Sequence, residues 1–81
     1  MNVDNAESFF VQIGTTVDVE VALRMQERLR GLDRDSVVKI HDRGSYRYYG
    51  VEVSGGKGFE SAKQEEQKLC ALGFVETRVV R

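Results

Sequence analysis

Gln12 is the one hydrogen-bonding side chain in the run "FFVQIG", residues 9–14, with Phe9, Phe10 and Val11 before it and Ile13 after it. A primary amide both donates and accepts hydrogen bonds, and a strand that only built a core would have little use for one. A second cluster, "YRYYGVEV" over residues 46–53, brings together Tyr46, Arg47, Tyr48, Tyr49 and Glu52. Flat rings beside an amide and a carboxylate suit a ligand with apolar faces and polar edges, which describes both sugars and nucleobases. Catalysis is not expected. The chain has one histidine, His41, and one cysteine, Cys70; no Ser/His/Asp set has motif context, and no metal or cofactor is called for.

Taken singly, each feature also has an ordinary reading. Tyrosines are frequent in strands. His41 reads as a turn-flanking residue, Cys70 as a small, partly buried helix residue, and "KQEEQK" (63–68) as a solvated helix face. The loop "SGGKG" (54–58) has the glycines of a phosphate loop but lacks the GxxxxGK[ST] spacing.

The elements that must position Gln12 and the tyrosines come from a chain of 81 residues, the size of one domain. With 12 basic and 13 acidic residues and a net charge of −1, a broad basic nucleic-acid surface is not expected. No run approaches the ~20 apolar residues of a membrane-spanning helix. The start "MNVDNAESFF" carries no targeting signal, so the chain is expected to be either cytoplasmic or a domain of a longer exported protein.

The chain repeats itself at an offset of 40 residues. Val11 meets Val51, Ile13 meets Val53, Ala22 meets Ala62, Leu29 meets Leu69, and Leu32 meets Leu72. Most matches are apolar and fall where a core needs them, so the duplication bears directly on the fold. Each half reads as strand, helix, strand. Residues 9–14 alternate as a half-buried strand, Thr15, Thr16 and Asp18 offer capping oxygens, and Ala22, Met25, Leu29 and Leu32 form a helical stripe. "SVVKI" returns as a strand, and Gly44 sits in a tight turn. In the second half Phe59, Ala62, Leu69 and Leu72 make the stripe, Gly73 the helix stop, and "ETRVVR" the closing strand. The predicted fold is α+β: a ferredoxin-like split βαβ (βαββαβ) with a four-stranded antiparallel sheet and two helices on one face. Residues 1–8 are expected to be a tail, and 9–81 one domain of two half-repeats, 9–41 and 49–81.

The other sheet face is then open. If Val11, Ile13, Val51 and Val53 face the helices, then Phe10, Gln12 and Gly14 face outward. So do Tyr46, Tyr48, Gly50 and Glu52, flanked by Val37, Lys39 and His41 on one side and Thr77 and Val79 on the other. A bulge at Gly50 would bring out Arg47 or Tyr49 instead.

These strings resemble a known family. "FFVQIGT", a helix ending in "LRGL", then "YGVEVSGG", "ESAKQEEQKLCALGF" and "VVR" are similar to SPOR (sporulation-related repeat) domains over residues 9–81. The resemblance implies a non-catalytic bacterial cell-envelope module. Its implied partner is peptidoglycan, in glycan strands lacking stem peptides, held on the open sheet face, and its implied task is to direct a parent protein to the division septum. It also implies that Gln12 is the ligand-binding strand glutamine, Thr15 the hydroxyl that follows it, and Tyr46, Arg47 and Tyr48 the aromatic and basic residues of the third strand. Phe10 and Glu52 join this site from the alternation alone. The chain departs from the pattern in having no proline in "SGGKGF", Thr16 where an aromatic is usual, and Glu52 where the second half would place a glutamine. A homodimer or a cell-division protein is a further expected partner, and a cytoplasmic protein-interaction or dimerisation module on the same fold is the alternative. RNA binding is disfavoured, because the basic-Gly-aromatic-Gly-aromatic-Val signature of RNA-recognition motifs is absent.

Overall fold

A computed structural model describes residues 8–81; the expected tail lies outside the described residues except for Ser8, which opens the first strand. The order is β1 (Ser8–Thr16), α1 (Val19–Gly31), β2 (Ser36–Asp42), β3 (Arg47–Lys57), α2 (Phe59–Ala71) and β4 (Arg78–Val80). The strands form one four-stranded antiparallel sheet, as the sequence predicts, in the order β2-β3-β1-β4.

Local chemistry explains the helix boundaries. Asp18 caps α1, its Oδ1 accepting from the Glu20 amide at 2.9 Å, while Thr16 Oγ1 accepts from the Asp18 amide at 3.0 Å. Both helices stop in the same way. The Arg34 amide donates to Leu29 O at 2.9 Å and the Phe74 amide to Leu69 O at 3.1 Å. The residues in between, Asp33 (φ 62°) and Gly73 (φ 105°), take the left-handed conformation of a Schellman stop.

The core consists largely of the residues that the duplication pairs. Val11, Ala22, Leu29, Val51, Ala62 and Leu69 are fully buried, joined by Ile13, Val53 and Phe74. Because both helices bury their stripes against this one cluster, they share a sheet face and leave the other bare. Arg34 from the end of α1 binds Glu65 on α2 at 2.7 Å. Glu65 and Glu66, expected on a solvated face, are therefore half-buried and paired, Glu66 with Lys63 at 2.8 Å. Cys70 is exposed rather than partly buried, with Sγ 3.1 Å from Thr77 Oγ1.

Two register details correct the expected open face. Gln12 pairs with Glu52 but Gly14 with Val51, so Ile13 is an extra residue in β1. The bulge lies in β1, not at Gly50. It turns Gly14 toward the helix side, where a side chain would come within 3.2 Å of Met25 Cε, and it leaves Thr15 opposite Gly50. In β4, Arg78 lies opposite Gln12, Val79 opposite Val11, and Val80 opposite Phe10. The outward residues of this strand are thus Arg78 and Val80. Thr77 instead touches Cys70 and Glu66 of α2.

Candidate functional site

Gln12 and Glu52 are register partners in the two central strands. They are only 8% and 6% exposed although they lie on the sheet face without helices. Neither side chain has a hydrogen-bond or ion-pair partner among the described residues. Their polar atoms are still reached by solvent, since among the described residues only His41 Nε2 is fully buried without a partner. Two unpaired polar groups side by side on the open face are therefore available to a ligand.

Gly50 makes room for the amide. A Cβ on it would sit 2.9 Å from Gln12 Nε2 and 3.7 Å from His41 Nε2. The glutamine therefore lies across the neighbouring strand toward the imidazole. His41 stacks on Tyr48, its partner across the β2–β3 ladder, with ring centroids 4.5 Å apart and planes inclined by 13°. Tyr46 continues the row, its centroid 6.1 Å from that of Tyr48 at 25°. The Arg43 guanidinium lies 5.5 Å from the Tyr48 ring centre and donates to its hydroxyl at 3.3 Å. His41 Nε2 is buried without a hydrogen-bond partner.

These groups border two hollows. A groove of about 680 Å³ is lined by Gln12, Thr15, Tyr46, Tyr48, Glu76 and Arg78, among others. A smaller, mostly apolar hollow of about 190 Å³ lies among Phe10, Asp35, Ser36, Val37, Glu52 and Ser54. The structure thus gathers Gln12, Thr15, Tyr46 and Tyr48 around one groove and Phe10 and Glu52 around the other. Arg47 joins neither. It alternates with Tyr48 in β3 and binds Asp42 across the hairpin at 3.3 Å.

Sequence reasoning passed over His41 as a site residue although alternation put it on this face. Its place opposite Tyr48 follows from the register of the β2–β3 ladder. Arg78 and Glu76 had no signal, because a three-residue strand does not declare its register. Chemically, the groove is lined by an amide, tyrosine rings, a guanidinium and a carboxylate, suited to holding a polyhydroxylated ring by its face and edges. Among the described residues no group of three His, Cys, Asp or Glu side chains is placed to hold a metal ion.

No protein-family model and no curated relative matches the sequence. Among solved structures, the chain is similar to the RlpA SPOR domain from Pseudomonas aeruginosa, with a TM-score of 0.76 over 90% of this chain and 97% of that one at 12% identity. At that identity the likeness is one of architecture. The chain has the fold of a SPOR domain, with the open sheet face carrying its unpartnered polar groups.

Proposed function

We propose that this domain binds peptidoglycan glycan strands, in stretches lacking stem peptides, through its open sheet face and without catalysing a reaction. The observation that carries this reading is Gln12, buried to 8% exposure on the open face of a SPOR-like fold with no partner for its amide. A sugar N-acetyl or hydroxyl group supplies that partner. Tyr48, backed by His41 and extended by Tyr46, is the stacking surface, and Thr15 and Arg78 border the same groove. Phe10 and Glu52 carry the contact toward the second hollow. The ligand lies outside the cytoplasm, so the domain would act within a longer exported protein. There it would direct its parent to the septum or to remodelled wall. No helix among the described residues is long and apolar enough to cross a membrane.

The test is sedimentation with insoluble cell-wall sacculi that are untreated, amidase-treated, or digested by a glycan-cleaving enzyme. Enrichment on the amidase-treated wall, lost after glycan cleavage, is the expected result. Gln12→Ala should weaken that binding about fivefold, the effect of roughly 1 kcal/mol for one interfacial hydrogen bond, and leave the unfolding curve unchanged. Absence from the pellet in every sample would overturn the reading in favour of a protein-interaction module on the same fold.

A further inference from the structure

Glu52 carries an inference that rests on the glycan reading and sharpens it. Glu52 is 6% exposed as a residue, and it borders a hollow whose other lining residues include Phe10 and Val37. The ion pairs Arg34–Glu65, Arg47–Asp42 and Lys63–Glu66 all lie away from it. The cations on its own face stand apart from it: Arg78 is opposite Gln12 on β4, and Lys39 is opposite Gly50 on β2. The second carboxylate at the hollow, Asp35, deepens the negative potential. Without a partner among these groups, the carboxylate is left to a donor or a cation brought by a ligand.

We infer that the Glu52 hollow takes a protonated primary amine, and that the domain prefers glycan in which some glucosamine residues have lost their N-acetyl groups. An acetamido group presents one N–H and a methyl, which leaves most of the carboxylate unanswered. An ammonium presents three N–H donors and a full charge. The neighbouring groove has the opposite character at Gln12, whose neutral amide suits an intact acetamido group. The two register partners thus read the two states of the same sugar substituent, side by side on adjacent strands.

The experiment titrates the protein, by NMR of its sheet amides, with a four-sugar peptide-free cell-wall glycan and with the same fragment de-N-acetylated at its glucosamine residues. The wild type should bind the amine-bearing fragment at least about tenfold tighter, the effect of a charge-assisted hydrogen bond of about 1.4 kcal/mol. Glu52→Gln, which keeps the side-chain shape, should erase that preference, so that the two fragments bind the variant equally. The exposed helix variant Glu60→Gln should keep the preference, which separates a local contact from general attraction of a cation. Equal affinities in the wild type, or a preference that survives Glu52→Gln, would overturn the inference alone. Displacement by tetralysine as effective as by the aminosugar would reassign the hollow to lysine side chains of a protein. Failure of both fragments to bind would overturn the glycan reading and this inference with it.

Discussion

Gly50 leads to a prediction that belongs to a single atom. The position a Cβ would take is 2.9 Å from Gln12 Nε2, a distance that forces movement. The atom in the way is the far end of a flexible side chain, so the fold can yield cheaply while the amide is displaced from the groove. Gly50→Ala should therefore lower glycan affinity about as much as Gln12→Ala, roughly fivefold, with little change in melting temperature. A calorimetric titration beside a thermal melt checks both halves of that statement. The residue scale is also where the sequence was partly silent. Gln12, Tyr48 and Glu52 were legible from alternation because the central strands keep a two-residue period where these residues stand. The stacking of His41 on Tyr48 was not, since it follows from which residues face each other across a ladder, and a lone histidine near a turn does not announce its cross-strand neighbour.

At the scale of elements, the two helix stops are the same device made from different residues. Asp33 holds φ 62° where its counterpart Gly73 holds φ 105°. A left-handed conformation costs an L-residue roughly 1–2 kcal/mol, with Asp among the better tolerated, and costs glycine nothing. Asp33→Gly should accordingly stabilise the domain by about 0.5–1 kcal/mol, whereas Gly73→Ala should destabilise it by about 1–2 kcal/mol. The second change also crowds Arg28, whose Nη2 lies 3.0 Å from the new Cβ and whose guanidinium covers Phe74 at 4.4 Å. Chemical denaturation of the two variants would expose an error of sign in either. The β2–β3 hairpin has its own titration. The Asp42 carboxylate is held below the usual carboxylate range, first by the Gly44 amide and then by Arg47. A depressed folded-state value means that its contribution is complete above the unfolded value and fades as pH falls through the lower one. The Gly44 amide shift should follow that transition at a pH below the usual carboxylate range and be flat in Asp42→Asn. Strand and helix positions were readable here because each period was clean. The bulge at Ile13 and the register of β4 were not, because pairing between distant segments decides them. In "RVV" two adjacent valines also remove the alternation that would have chosen a face.

The whole molecule interleaves its two copies so that neither half owns a neighbouring pair of strands. In the order β2-β3-β1-β4, β1 touches β3 and β4, and β2 touches β3, so every ladder joins one half-repeat to the other. We read 9–41 and 49–81 as copies of one unit, in keeping with helices that begin 40 residues apart and with core residues that pair at the same offset. Such a unit cannot bury its own apolar face. Val11 and Leu29 of the first half meet Val51 and Leu69 of the second in a single cluster, and a whole domain of this size has a net stability of only about 4–12 kcal/mol at the usual value per residue. A peptide of residues 1–45 should therefore be unfolded when dilute. Yet its strand edges match those of a copy of itself almost as well as those of the second half. Raising its concentration should drive it into a symmetric dimer in which the copy stands in for residues 46–81. Adding the peptide 46–81 should restore the native sheet at lower concentration than self-pairing needs, since the native pairing adds Gln12 against Glu52 and the Arg34–Glu65 bridge. Circular dichroism and sedimentation across a dilution series distinguish these states. A folded monomer of the first half alone would mean that the duplication is one of sequence only, with each half able to close its own core.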